Sequence, residues 1–263
     1  MHIKREILKD IKERPFVLSI AGFDPSSGAG ITADIKTMEA HNVYGLGVIS
    51  SISVQNDISF TENKWTDKIL ILSQIDILFS RYDIGIVKIG IIESLELLND
   101  IVEHLISLNE EVLIVWDPII RASAGYMIHK SINFELLENI LKKIYLITPN
   151  LDEFSILFTD LQRDNDIISN EISNRNLCNI LLKGGHDKGE YSYDYLLMPN
   201  KKFSNRVKRS KTGDKHGSGC ILSASICSNM ALGNSLEVTT CMAQAYISEC
   251  IDYNIEALSI HNK

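Results

Sequence analysis

Several features are missing from this 263-residue chain, and each absence closes off a class of function. Its five cysteines, Cys178, Cys220, Cys227, Cys241 and Cys250, are odd in number, and none is paired at C-x-x-C spacing. That argues against a disulfide framework or a zinc site and for a reducing, cytoplasmic setting. No apolar run approaches the roughly 20 residues needed to cross a bilayer, so no membrane span is expected. The opening "MHIKREILKDIKERP" is charged throughout and has no apolar stretch of the kind a secretory signal carries. Positive charge is not in excess: 26 Lys and Arg face 34 Asp and Glu, for a net charge of −8. Bulk nucleic-acid binding is therefore not expected, although backbone N–H groups and a few lysines can still hold a small anion. The phosphate-binding pattern G-x-x-x-x-G-K-[ST] is missing too, so a nucleotide phosphate would have to be held by another device. No repeat, low-complexity tract or linker divides the chain. One domain over 15–263 is expected, with residues 1–14 as a charged, solvated extension, and the 45% hydrophobic content is enough for a large core.

What is present is an alternation. "FVLSIAG", "GLGVISSISV", "IGIVKIG", "VLIVWDP", "IYLITPN" and "ILLKGG" read as strands, and helix-period segments such as "DKILILSQIDILFS" and "SLELLNDIVEHLISLN" lie between them. Continuous apolar runs suit strands covered on both faces, and strand–helix alternation suits a mostly parallel sheet flanked by helices. Two shorter strands are expected around Tyr193–Met198 and Phe203–Val207, followed by two closing helices. In such sheets ligands sit beyond the carboxyl ends of the strands. Here those ends are "AGFDPSSGAG", "SVQND", "KIG", "WDPII", "TPNLDE" and "KGGH", joined by "KTGDKHGSGC".

Three of these segments carry chemistry, and each also has a plain structural reading. "GAGITA" (Gly28–Ala33) matches the dinucleotide pattern G-x-G-x-x-A, but six residues separate it from the strand, and Asp57 is poorly placed as the acidic partner. A tight packing turn or the floor of a substrate pocket are the other readings. "HGSGC" places Gly217, Ser218 and Gly219 at a helix start, where successive N–H groups form an anion hole. Cys220 then falls in the first turn, where the helix dipole would lower its pKa and make it a base or nucleophile; the other reading is a small buried core residue. Lys183 of "KGGH" could join the anion hole if ATP is used. Asp117 and the acidic end of "TPNLDE" could position Mg²⁺ through waters. Asn150 to Glu153 reads equally as a helix N-cap with first-turn carboxylates. Asp34 and Gln55 could supply an acceptor and an amide to a heterocycle, or Asp34 could simply lie on an exposed helix face.

The ordered set "SIAGFDPSSGAGITADIKT", "VQN", "VKIG", "DPII", "TPNLDE", "LLKGGH" and "HGSGC" resembles the hydroxymethylpyrimidine/phosphomethylpyrimidine kinases of thiamin biosynthesis, within the ribokinase-like superfamily. The resemblance runs from Phe16 to about Ile255. It implies a three-layer α/β sandwich, ATP and Mg²⁺ as cofactors, two successive phosphorylations of a pyrimidine, and a homodimer. By the same resemblance, the first loop covers the pyrimidine, and Gly22, Asp34, Gln55, Ile91 and Ile119 line its pocket. Gly217, Ser218, Gly219 and Cys220 form the catalytic anion hole; Lys183, Gly184, Gly185 and Asn150 approach ATP; Glu153 and Asp117 serve the metal. Pyridoxal kinases share the fold, and some of them the cysteine; they remain an alternative, as does a non-catalytic ligand-binding protein. Two departures stand out: "FDPSSGAG", stiffened by Phe23 and Pro25, where many relatives have a glycine run, and Ser218 where Thr is common. The chain's end soon after the last helix implies that no second thiamin enzyme is fused to it.

Overall fold

The computed structural model describes residues 14–120, 132–161, 164–184, 191–208, 216–252 and 258–261. Residues 1–13 of the expected extension lie outside the described residues. The apolar run after Pro15 forms β1 (Phe16–Phe23). A loop leads into α1 (Gly30–Ala40), then β2 (Tyr44–Gln55) and β3 (Phe60–Trp65). Asp67 caps α2 (Lys68–Phe79), its carboxylate accepting from the N–H groups of Ile69 and Leu70. After β4 (Ile84–Ile89), Ser94 caps α3 (Leu95–Leu108), where Leu95, Leu98, Ile101, Val102 and Leu105 recur at helical spacing and are buried. β5 (Leu113–Trp116), α4 (Phe134–Leu141), β6 (Leu146–Ile147), α5 (Leu151–Leu157), α6 (Asn165–Arg175) and β7 (Asn179–Leu182) continue the alternation. The hairpin of β8 (Tyr191–Met198) and β9 (Lys201–Lys208) and the helices α7 (Ser218–Ala231) and α8 (Leu236–Asp252) close the chain.

The strands form one sheet in the order β3-β2-β1-β4-β5-β6-β7-β8-β9. Strands β2, β1, β4, β5, β6 and β7 pair in parallel, while β3, β8 and β9 join antiparallel at the two edges. Successive β1 residues face opposite layers. Leu18 and Ile20 pack with Ile71 and Ile75 of α2 and Ile101 of α3. Val17 packs with Met38 of α1 and Leu222 and Ile226 of α7. This is the expected three-layer sandwich. β3 was not expected, because "FTENKW" has no apolar run; as an edge strand with one neighbour it needs none.

Between β1, β4 and α1 lies a sealed ion pair. Lys88 Nζ donates to both oxygens of Asp34 at 2.6 Å, and Ser19 Oγ donates to Asp34 Oδ2 at 2.6 Å. Both charged side chains are 0% exposed. Burial works against the Lys88 charge, but the Asp34 carboxylate outweighs it and holds the lysine pKa above its ordinary value. This corrects one expectation for Asp34, which does not lie on an exposed helix face. It belongs to the buried stripe Ile31, Asp34, Met38 of α1, where its oxygens accept from Lys88 and Ser19. Lys88→Met leaves that carboxylate unpaired and is expected to cost about 3–5 kcal/mol of unfolding free energy, most of it recovered by adding Asp34→Leu. Urea unfolding checks this; a wild-type midpoint for Lys88→Met would rule it out.

Candidate active site

Because the inner strands are parallel, their carboxyl ends point the same way, and two glycine loops meet above them. The first loop begins with Asp24, directly after β1. Its carboxylate accepts from Ser26 N at 2.9 Å, Ser26 Oγ at 2.8 Å, Ala29 N at 2.9 Å and His216 Nε2 at 2.8 Å. Burial alone would raise the Asp24 pKa; the bonds from His216, Ser26 and Ala29 overturn that and hold it at about 2. The second loop places Gly217 at the N-cap of α7 with φ +80°. Only glycine suits this position, since a Cβ there would lie 1.9 Å from the Gly28 carbonyl oxygen. The first intrahelical bond runs from Ile221 N to Gly217 O. The N–H groups of Ser218, Gly219 and Cys220 therefore have no acceptor one turn back, and form the positive end of the helix.

Gly219 faces the next cluster. A Cβ on it would stand 3.4 Å from Asp117 Oδ2 and 3.5 Å from Lys183 Nζ. Asp117 follows β5, is 2% exposed, and accepts from Lys183 Nζ at 3.2 Å, Thr148 Oγ1 at 3.0 Å and Ser223 Oγ at 3.3 Å. Burial alone would raise its pKa, but Lys183 and Lys88 hold it below the usual carboxylate range. Lys183 Nζ also lies 3.9 Å from Glu153 Oε2, whose pKa burial pushes up despite that lysine. Asn150 and Glu153 form a capping box on α5, each side chain accepting from the other's N–H at 2.8 Å. The structural reading of "TPNLDE" thus holds. Gly184 donates to Asp194 Oδ1 at 2.9 Å, and Gln244 holds the other oxygen of that carboxylate. Gly185 lies outside the described residues. Two carboxylates beside one lysine fit Mg²⁺, which binds through one or two carboxylates and keeps waters and phosphate oxygens as its other ligands. Among the described residues no group of three or more His, Cys, Asp or Glu could form an all-protein metal cage.

Near the carboxyl ends of β1 and β4, Gly22 and Ile91 come together. A Cβ on Gly22 would meet Ser51 Oγ at 2.8 Å and Ile91 Cγ2 at 2.9 Å. Ser50 Oγ fixes the Ile91 carbonyl at 2.6 Å. Gln55 is half-buried at the end of β2, and Ile119 is half-buried two residues beyond Asp117. Sequence reading missed Ser19, Lys88, Thr148, Ser223, Asp194 and the pairing of Asp24 with His216. Of these only Lys88 carried a plain signal, a charge within an apolar strand.

Cys220 requires a correction. Its place in the first turn of α7 suggested a lowered pKa, yet the thiol is only 6% exposed and is pushed up to about 11. Burial is the main cause; Lys88 opposes it, and Asp34 and Asp117 add to it. In the ligand-free protein the thiol is therefore protonated at neutral pH. Iodoacetamide at pH 8 is expected to modify the partly exposed Cys241 well before Cys220. Cys220 labelling should rise about tenfold per pH unit towards pH 10, as its thiolate fraction does. Peptide mass spectrometry reads both sites, and fast Cys220 labelling at pH 7 would contradict this assignment.

The phosphomethylpyrimidine kinase family model matches residues 24–263. The chain is 31% identical over 243 residues to a hydroxymethylpyrimidine/phosphomethylpyrimidine kinase of Rhizobium meliloti (strain 1021), covering 89% of each. It is likewise 31% identical over 238 residues to one from Aquifex aeolicus (strain VF5), covering 89% of this chain and 93% of that one. The crystal structure of phosphomethylpyrimidine kinase from Clostridium difficile 630 superposes with a TM-score of 0.75 at 33% identity, covering 90% of this chain and all of that one. The pyridoxal kinase of Staphylococcus aureus in complex with AMP-PCP, at 22% identity, shares the fold, with a TM-score of 0.80 over 92% of this chain and 89% of that one. By its family match and by its identity to these relatives along most of its length, the chain belongs to the phosphomethylpyrimidine kinase family.

Proposed function

We propose that this protein phosphorylates 4-amino-5-hydroxymethyl-2-methylpyrimidine with ATP, first to the monophosphate and then to the diphosphate, in thiamin biosynthesis. Within the structure, the observation that carries the reading is the meeting of the α7 N-terminus with Lys183 and Asp117 at Gly219. Phosphoryl transfer asks chiefly for positioning and neutralisation of charge. The N–H groups of Ser218, Gly219 and Cys220 face the oxygens of the group in transit. Lys183 supplies the cation on the nucleotide side, next to Gly184 and Asn150. Asp117 and Glu153 would hold Mg²⁺, which would neutralise phosphate charge when bound. Gly22, Ile91, Gln55 and Ile119 are assigned to the ring of the substrate.

Cys220 is assigned the alcohol proton in the first transfer. The second transfer uses a phosphate oxygen, already anionic, and needs no base. With the thiol at about 11 in the free protein, only a small fraction is thiolate at neutral pH. The kcat/KM of the first transfer is thus expected to rise with pH between 7 and 9, by up to about tenfold per unit, while that of the second stays flat. Cys220→Ser should depress the first transfer more than the second. A first transfer that is level over this range, or a larger loss in the second, would remove Cys220 from the role.

The reading also includes a single domain over 15–263, a cytoplasmic setting in keeping with five free cysteines, and a homodimer. The exposed Ile52, Val54 and Ile58 beside the edge strand β3 support the last. The deciding experiment is a coupled assay with ATP and Mg²⁺ that compares the pyrimidine with pyridoxal and resolves mono- from diphosphate. Pyrimidine diphosphate is the expected product; turnover of pyridoxal alone would move the protein to vitamin B6 salvage, and no turnover with either would leave a ligand-binding protein.

A further inference from the structure

We propose that Asp24 and His216 form a latch that fixes the substrate-side loop against the anion hole, making both of them positioning residues for phosphoryl transfer. The proposal rests on the function proposed above for its kinetic consequences, but its geometry is independent of substrate. The two loops are 192 residues apart in the chain, and each stands on a different element, one after β1 and the other before α7. The Asp24 carboxylate does two jobs with one group. Its bonds from Ser26 N and Ala29 N shape the first loop up to the start of α1, and its bond from His216 Nε2 reaches the residue immediately before Gly217. A carboxylate with a pKa of about 2 only accepts at working pH, so His216 Nε2 carries the proton.

A second contact supports the first. Gly28 lies so close to the latch that a Cβ on it would meet His216 Cδ2 at 2.8 Å and Leu258 Cδ2 at 2.6 Å, and its carbonyl lies over Gly217. Ala29 Cα also lies against Gly217, 2.8 Å from where a Cβ on that glycine would stand. The loop is thus held against the segment His216–Gly217 at Asp24, Gly28 and Ala29. Asp24 is 1% exposed and Gly28 is buried, so the latch itself is shielded from water. In a transfer that depends on in-line alignment, a shift of about 1 Å between the two loops costs on the order of 100-fold in rate.

The test uses the full-length protein and three variants: His216→Ala, which deletes the donor, His216→Gln, whose amide can place an N–H near the lost Nε2, and Asp24→Asn. In the ligand-free protein, hydrogen exchange is expected to speed up in residues 24–30 when only His216 has been changed to Ala, and to return towards wild type in His216→Gln. In the coupled assay, kcat of His216→Ala should fall about 100-fold with KM for ATP changed less than about threefold. The double variant His216→Ala/Asp24→Asn should be no slower than the slower single variant. Unchanged exchange in 24–30 in His216→Ala, or single effects that multiply in the double variant, would overturn the latch. Were wild-type protein to turn over no pyrimidine, the proposed function would fail while the exchange arm still decided the latch. Should Asp24→Asn not fold, the two His216 variants decide it alone.

Discussion

Two opposite charges, Asp34 and Lys88, are held entirely out of water beneath the helix that carries Cys220. A buried pair of this kind survives only if every remaining bond is met, and here Ser19 supplies the third partner. That requirement fixes α1 to the middle of the sheet, because Asp34 has to reach Lys88 across β1. Lys88 also acts beyond its partner. Its charge helps to hold Asp117 ionised and opposes the burial that raises Cys220. One lysine therefore links the packing of α1 to the protonation state of two groups at the strand ends.

The site is otherwise made by close approach of backbone. Gly217 lies against the Gly28 carbonyl and Gly219 against Asp117 and Lys183. The missing side chains let the start of α7 reach both the loop after β1 and the cation after β7. Parallel strands bring these segments to one rim, and the glycines let them touch.

Much of this was legible in the chain. The runs "FVLSIAG" and "IGIVKIG" marked inner strands because a strand covered on both faces must be apolar throughout. The Ser94 cap, the Asn150 N-cap and the glycines before Cys220 were readable because each is a local rule within a few residues. What escaped was long-range or environmental. The pairing of Asp34 with Lys88 was hidden because the two are 54 positions apart. Asp24 with His216, and Thr148 and Ser223 with Asp117, are pairings that only the folded sheet creates. The Cys220 pKa was misjudged because a helix N-terminus and burial act in opposite directions, and only the packed structure shows that burial wins.

The charges near the start of α7 give a physical reason for a thiol at position 220. The buried Lys88–Asp34 pair lies beneath it, and Lys183 with Asp117 and Glu153 lies beside it. The fields of Asp34 and Asp117 already raise the Cys220 pKa. An ionised aspartate at 220 would add a further anion to that field, at the helix end assigned to a phosphoryl group. A protonated thiol adds no charge, and the small fraction present as thiolate can take the alcohol proton. In a loose transition state the attacking oxygen loses its proton late, so a weak base in the right place is enough for an alcohol. When the attacking group is itself a phosphate, no base is needed, and a neutral group at 220 repels it least. Under the proposed function, a thiol that is mostly neutral is compatible with both steps, whereas a fixed carboxylate would oppose the second.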